Sequence, residues 1–268
     1  MKIIQQLEDS YLSKVELVEI DGKNFVLKTA DKEDIENEKN FFSLLSAHNL
    51  PTLQIFQSAD LFANQILLEY IPGSPTLGKN LSVEMCKKWG SLMKNIHSIQ
   101  SSHPAIFKNG SVEYIEWEDC IIANLEKGRQ RVKEKKSDLT PQMVESLCLI
   151  IKKFIPLKLP FFSLLHGDPH SQNILLRNKE LFIFDKDPQI FYGDPLFDLA
   201  VIAIEFPHEK NKIFLDAFAQ GYGQDVFNEK REILDAYILL RGFTRYPNPF
   251  ELDLKEMMEE IIKKYHRL

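Results

Sequence analysis

Residues 164–176 read LLHGDPHSQNILL, a polar loop set between two apolar runs. Both flanks need burial, so any fold of this chain must anchor the loop to a core at each end. An ordinary turn requires only Gly, Asn or Asp. This one also holds two histidines and a carboxylate, and its spacing is His166-x-Asp168-x-x-x-x-Asn173. That spacing has a mechanical meaning in phosphoryl transfer. An aspartate in such a loop orients an attacking hydroxyl and accepts its proton, and an asparagine five residues on reaches back to a Mg2+ bridging nucleotide phosphates. A further carboxylate is required at the end of a nearby strand. The apolar run LFIFD delivers Asp185 there, twelve residues after Asn173. The plainer alternative is a polar turn with a helix-capping Asp and a core His, but it leaves Asn173 and Asp185 unexplained.

The same chemistry needs a cation on the nucleotide phosphates, held by an acidic partner. Lys28 stands inside the apolar run FVLKTA, where a lysine is costly unless paired or at an edge. Glu38 lies ten residues later on the first predicted helix. Lys28 is therefore assigned to the α/β-phosphates and Glu38 to its ion pair, with Glu36 as the second choice.

Around these residues the chain changes character once. KVELVEI (14–20) and NFVLKTA (24–30) read as strands joined by Asp21-Gly22, a strong hairpin signal. Residues 31–51 read as a helix, acidic at its start and stopped by Pro51. LQIFQSA and NQILLEYI read as two more strands, ending at Pro72-Gly73. Beyond that break, residues 82–99, 111–135, 140–155, 195–206, 208–220, 228–243 and 251–266 carry helical spacing. The loop at 164–176 and LFIFD interrupt them as a short island. The fold class expected is α+β. Residues 1–71 form an antiparallel-sheet lobe with one helix that binds nucleotide, and residues 72–268 form a larger helical lobe with the catalytic loop and acceptor site.

Totals narrow the partners. The net charge is −6, so nothing global favours a nucleic acid. The basic run KGRQRVKEKK (127–136) reads as the solvated face of a helix, with Glu126 and Glu134 interspersed. No stretch approaches the roughly 18 apolar residues of a membrane span, and MKIIQQLEDSYL lacks the features of a signal peptide. Cys86, Cys120 and Cys148 are scattered and odd in number, which fits reduced, buried thiols in a cytoplasm. The expectation is a cytoplasmic protein without membrane or nucleic-acid partner, a monomer or weak homodimer.

Phe25-Val-Leu-Lys28, LLEYIPG (67–73), HGDPHSQNIL (166–175) and GDPLFDLA (193–200) together resemble the aminoglycoside phosphotransferase / choline kinase-like family. The resemblance runs along essentially the whole chain in the right order. It implies a two-lobed protein-kinase-like fold, ATP or GTP as donor, Mg2+, and a small-molecule hydroxyl as acceptor. Residue by residue, it implies Asp168 as catalytic base and Asn173 as metal ligand. LLEYIPG is similar to the family's interlobe hinge, which implies purine hydrogen bonds from the Glu69 carbonyl and Ile71 amide, with Leu68 behind the base. Pro72 has no N–H, so the donor must precede it. Asp198 resembles the family aspartate that steadies the catalytic loop, and is read as structural. His166 is read as a brace of the loop, and His170 is left without a role.

Two departures from the family pattern stand out. The first hairpin has no G-x-G-x-x-G; its loop is EDSYLSK (8–14), where Ser10 and Ser13 offer hydroxyls or close backbone approach to phosphate. In FDKDPQIFYGDP (184–195), Asp185 ends the strand, while Asp187 stands in a run similar to the D-P-x-x-x-x-G-D-P of streptomycin-type and hydroxyurea kinases. Asp185 is the first candidate for the metal and Asp187 the second.

The acceptor is open between an aminoglycoside and an amino-alcohol or sugar metabolite. VEYIEWED (112–119), with Tyr114 and Trp117, is either a cradle for a cation or an amphipathic helix with buried aromatics. FTRYPNPFELD (243–253) is either a cover over the acceptor or a loop before the last helix. A metal-dependent phosphoesterase would need more clustered histidines than the scattered 48, 97, 103, 208 and 266. An inactive nucleotide-binding relative is the remaining alternative, opposed by the retained Lys28, Asp168, Asn173 and Asp185.

Overall fold

The structure is a computed structural model. It describes residues 1–9, 13–59, 61–72, 76–79, 81–108, 110–135, 138–187, 190–206, 211–223, 225–245 and 252–265. Strands β1 (Lys2–Asp9), β2 (Ser13–Ile20) and β3 (Lys23–Ala30) lead into α1 (Lys32–Ala47), then β4 (Ile55–Phe56) and β5 (Gln65–Glu69). Next come α2 (Val83–His97), β6 (Gln100–Ser101), β7 (Ala105–Lys108), β8 (Ser111–Tyr114), α3 (Trp117–Glu134) and α4 (Pro141–Phe154). Strands β9 (Phe162–Leu164), β10 (Ile174–Arg177), β11 (Glu180–Ile183) and β12 (Tyr192–Gly193) follow. Helices α5 (Leu196–Glu205), α6 (Lys212–Tyr222), α7 (Val226–Glu229), α8 (Arg231–Arg245) and α9 (Leu252–Tyr265) come last. The chain divides into two compact units. One comprises Met1–Leu81, Ile106–Glu113 and His166–Phe191; the other comprises Ser82–Ala105, Tyr114–Leu165 and Tyr192–Leu268.

The first unit is built on an antiparallel sheet of order β1-β2-β3-β5-β4. The β2–β3 hairpin turns on Asp21 and Gly22, whose φ values of +50° and +74° suit the type I′ turn that matches strand twist. Val18, Leu27 and Leu67 form the buried centre, with Ile20, Phe25, Phe56 and Leu61 packed against them. Helix α1 buries Ile35, Phe41, Phe42 and Leu45 along one face, and Glu38 with them. Strands β10 and β11 form a second hairpin, closed by Asn178 and Lys179, both at positive φ.

Sequence periodicity misplaced parts of this unit. Residues 2–9 are strand β1, although KIIQQLED has no clean alternation. Among the described residues it pairs only with β2, with two register shifts, and leaves Ile3, Ile4 and Leu7 exposed. An edge strand that buries little has little reason to alternate. LQIFQSA supplies only the two residues of β4.

The second unit is mainly helical. Helix α2 is capped by Ser82, whose Oγ accepts from the Met85 amide at 3.2 Å. Helix α4 opens on Thr140, which accepts from the Met143 amide at 3.2 Å, with Pro141 at the first helical position. Helix α5 is buried almost all round, as its apolar sequence requires. The reading of 111–135 as one helix is corrected. Ser111–Tyr114 is strand β8, and the helix starts only at Trp117, behind extended Glu116 and with Glu118 and Asp119 in its first turn. The helix read over 228–243 is likewise two, α7 and α8.

Helices α2 and α6 approach so closely that a Cβ at Gly90 would overlap the Phe218 carbonyl oxygen. One at Gly221 would overlap the Lys87 carbonyl. Gly221→Ala is therefore expected to destabilise the protein by about 1–3 kcal/mol through forced helix separation, read as a lower urea midpoint at unchanged slope.

All three cysteines are buried and free, and burial pushes the Cys86 and Cys120 thiols up to about 12. Among the described residues, no helix is long and apolar enough to cross a membrane. The α+β expectation holds, with an antiparallel sheet and one long helix at the start and a helical remainder.

Candidate active site

Every described residue of the proposed phosphoryl-transfer set lies in the first unit. His166 is fully buried, with its ring edge-on to Phe41 at 5.6 Å between centroids. Its Nδ1 accepts from the Asp168 amide at 3.3 Å, so the ring proton sits on Nε2, which donates to the Phe184 carbonyl at 2.8 Å. His166 thus ties the loop's backbone to the end of β11. Gly167 is required twice over. Its φ is +85°, and a Cβ there would stand 2.6 Å from the Cβ of Asp187. The Asp187 amide closes this turn by donating to the His166 carbonyl at 3.0 Å.

Beyond Asp168 the loop folds onto itself. The Asn173 side-chain amide donates to the Asp168 carbonyl at 2.9 Å, and the Asn173 backbone amide to the His170 carbonyl at 2.9 Å. The Asn173 amide group is held by its nitrogen, which turns its oxygen away as an acceptor.

Lys28 and Asp185 meet from opposite ends of the unit's sequence. Lys28 pairs in register with Val15 on β2 and Ile66 on β5. Its Nζ donates to Glu38 Oε2 at 2.8 Å and to Asp185 Oδ1 at 2.6 Å. Burial works to lower the Lys28 pKa, but the two carboxylates outweigh it and hold the ammonium above the ordinary lysine range. Asp185 adopts the left-handed backbone at φ +58° and keeps about half of its side chain, 49%, in solvent. Glu36, the second choice, pairs instead with Lys39 at 3.1 Å on the outer face of α1. At the start of α1, the Asp34 carboxyl is pushed up by burial and by Asp31, with Asp187 adding to the effect against Lys28. Asp34, Asp185 and Asp187 thus concentrate negative charge beside one lysine.

Between the two aspartates stands Lys186, only 5% exposed. Its ammonium donates to the carbonyls of Asp187 at 2.7 Å and Ile190 at 2.8 Å, and it lies over the rings of Phe41 and Phe191. Sequence reasoning missed this residue, because a lysine between two aspartates reads as surface.

At the end of β5, Leu68 is buried and the Glu69 amide donates to the Gln54 carbonyl at 2.9 Å. The Glu69 carboxylate meets Arg177 at 2.6 Å, and the guanidinium stacks on Phe182 at 4.3 Å. Arg177 also escaped the sequence reading; nothing marks a lone arginine at a strand end. Ile71 is buried just beyond. Ser13 opens β2, and Ser10 lies outside the described residues.

In the second unit, Asp198 is buried on α5 and 3.2 Å from His97 Nε2, whose Nδ1 meets the Tyr222 hydroxyl at 2.8 Å. Tyr114 is exposed on β8, whereas Trp117 is buried in α3 and donates to the Tyr237 hydroxyl at 3.1 Å. The two aromatics of VEYIEWED therefore do not form one face. Most of the segment FTRYPNPFELD, residues 246–251, lies outside the described residues.

A profile of the phosphotransferase enzyme family, APH, matches residues 3–235. The chain belongs to this family. Three solved relatives of the phosphotransferase fold illustrate it. A thermostable mutant of the aminoglycoside phosphotransferase APH(4)-Ia, in ternary complex with AMP-PNP and hygromycin B, is 17% identical with a TM-score of 0.72, over 97% of this chain and 92% of that one. The amicoumacin kinase hAmiN, in complex with AMP-PNP, Ca2+ and Ami, is 16% identical with a TM-score of 0.64, over 97% and 88%. The macrolide 2'-phosphotransferase MphH from Brachybacterium faecium is 17% identical with a TM-score of 0.61, over 96% and 91%. No curated protein matches the sequence of this phosphotransferase.

Proposed function

We propose that this phosphotransferase moves the γ-phosphoryl group of ATP or GTP to a hydroxyl of a small molecule, an aminoglycoside or an amino-alcohol or sugar metabolite. The observation that carries the reading is the Glu38–Lys28–Asp185 ion-pair chain, built in the same unit as the His166–Asn173 loop. By function, residues 1–71 are assigned the nucleotide and residues 72–268 the catalytic loop and acceptor, although by compactness the loop is grouped with the first unit. Solved structures of similar fold in complex with AMP-PNP or ADP and an antibiotic support a nucleotide donor and a small-molecule acceptor.

In this reading Asp168 orients the acceptor hydroxyl and takes its proton as the oxygen–phosphorus bond forms. The bond from the γ-phosphorus to the bridging oxygen breaks, and the nucleoside diphosphate leaves. Lys28, held by Glu38, neutralises the α/β-phosphates. The Glu69 carbonyl and Ile71 amide are assigned to the purine with Leu68 behind it, and the hydroxyls of Ser10 and Ser13 are assigned to the phosphates. The donor set suits Mg2+: the Asn173 amide oxygen and the Asp185 carboxylate are hard oxygen ligands, with Asp187 beside them. Among the described residues no three His, Cys, Asp or Glu side chains form a ready cage, in keeping with an ion that arrives with nucleotide phosphates. Such an ion, when bound, offsets the charge that develops on the transferring group.

Two measurements test this. Incubation with Mg-ATP or Mg-GTP and a panel of aminoglycosides, choline and amino-sugars is expected to give one product heavier by a phosphoryl group. A chain with no nucleotide-dependent thermal shift and no such product would overturn the reading. Asp185→Asn is expected to raise the Mg2+ needed for half of the nucleotide-induced thermal shift by at least about tenfold, and Asp187→Asn by less. The reverse order would transfer the ligand role to Asp187.

A further inference from the structure

The loop contains a second histidine, His170, to which the chemistry above gives no task. Its surroundings are specific. The Gln172 backbone amide donates to His170 Nδ1 at 3.2 Å. A ring nitrogen that accepts carries no proton, so the neutral ring bears its hydrogen on Nε2. That Nε2 lies 3.4 Å from Asp168 Oδ2. The ring is also held from behind. The His170 amide donates to the Asp168 carbonyl, and its carbonyl accepts from the Asn173 amide, both at 2.9 Å. Gln172 is itself fixed by Thr76, whose hydroxyl donates to Oε1 at 2.9 Å, and by Gly78, where a Cβ would overlap its amide group. A restraint therefore runs from Thr76 through Gln172 and the imidazole to one oxygen of Asp168.

The two histidines of the loop share a tautomer but differ in target. His166 turns its Nε2–H to a backbone carbonyl; His170 turns it toward the carboxylate. We propose that His170 is a positioning residue for Asp168: its Nε2–H holds Oδ2 and so fixes the orientation in which the carboxylate meets the acceptor hydroxyl. The role of Asp168 rests on the function proposed above; the geometry of the imidazole does not. A separation of 3.4 Å is long for a working hydrogen bond, and catalytic contacts commonly tighten only when substrate is bound. A carboxylate free to rotate presents its basic oxygen to the hydroxyl only part of the time. Fixing one oxygen removes that loss, and small misplacements of a reacting group cost large factors in rate.

Two substitutions separate the two nitrogens. In His170→Asn the side-chain oxygen stands where Nδ1 was and still accepts from the Gln172 amide, as asparagine does at a helix start, but the side chain stops short of Asp168. In His170→Gln the amide reaches as far as Nε2 did and still donates to Asp168, while the Gln172 cap is lost. His170→Asn is expected to keep the melting temperature and nucleotide KM of the native protein and lose about 10–100-fold in kcat. His170→Gln is expected to melt lower and keep most of kcat. Equal kcat in all three proteins, or losses of kcat that follow melting temperature, would overturn the proposal. Nitrogen-15 NMR of the full chain gives a readout that needs no turnover. The His170 ring is expected as the Nε2–H tautomer, with its Nε2 resonance moved by Asp168→Asn. A ring protonated on Nδ1 would overturn the proposal even in an active kinase. If no acceptor is phosphorylated, the proposed function fails separately and the NMR result still decides the geometry.

Discussion

Asp168→Asn is expected to lower kcat for phosphotransfer by roughly 10²–10⁴-fold, the usual contribution of a positioned general base. The change is close to isosteric, and the side chain it alters is about one quarter exposed, 27%. The loop around it is fixed by backbone groups that asparagine leaves intact. The Asn173 side chain bonds the Asp168 carbonyl, and His166 receives the Asp168 amide. Melting temperature and nucleotide KM should therefore stay near native values, because the lost interaction is made only as the hydroxyl gives up its proton. Steady-state kinetics with the cognate acceptor, beside a melting curve, checks this. A variant that transfers phosphate at the native rate would remove Asp168 from the mechanism.

Lys28→Met should affect both rate and stability. Removal of a preorganised cation from the phosphates is expected to cost on the order of 10²–10³-fold in kcat/KM. It also strands Glu38, which is only 3% exposed. Breaking a buried pair by deleting one partner commonly destabilises by about 3–5 kcal/mol. The sign with pH follows from the surviving carboxyl. Burial already pushes Glu38 up, and Lys28 opposes that. Without Lys28 its folded pKa rises further, so the folded state keeps a proton that the unfolded glutamate releases above about 4.3. Stability of the variant then falls as pH rises from that value through the folded pKa. The deficit in melting temperature relative to the native protein should be smaller at pH 5 than at pH 8. An equal deficit at both would mean that Glu38 finds another partner.

Much of this site could be read before any fold was known, because its parts are costly anywhere else. A lysine in an apolar strand, a carboxylate ending another, and a polar loop between two core segments each demand a partner. Lys28 and Asp185 are 157 positions apart; the costly lysine pointed to an acidic partner and the strand-ending carboxylate to a metal, while their contact with each other was not legible. The hairpin at Asp21-Gly22 was legible because only a few residues accept two successive left-handed conformations. Features whose residues look ordinary in isolation were not legible. Strand β1 leaves most of its apolar residues in solvent and has no pattern to show. Strand β8 was hidden in a helical reading because four residues are too few to set a period. Arg177 and Lys186 carry charges that belong on a surface until the rings and carbonyls beneath them are known. Lys28 has both Glu36 and Glu38 within reach along the helix, and only the face of α1 decides between them.

Lys186 gives the turn of Asp185 and Asp187 an unusual response to temperature. An apolar side chain at this position would grip through the hydrophobic effect, which fades as water is cooled. An ammonium held by two carbonyls and two rings is governed by its own dehydration, and that penalty diminishes with heat. The turn that carries both acidic residues is thus fastened by the hydrogen bonds of a buried ammonium against the cost of its lost hydration, while the sheet beside it is fastened by apolar burial. Cooling and warming therefore act on the two in different proportions, and the acidic turn keeps its order by a thermodynamic rule separate from that of the core.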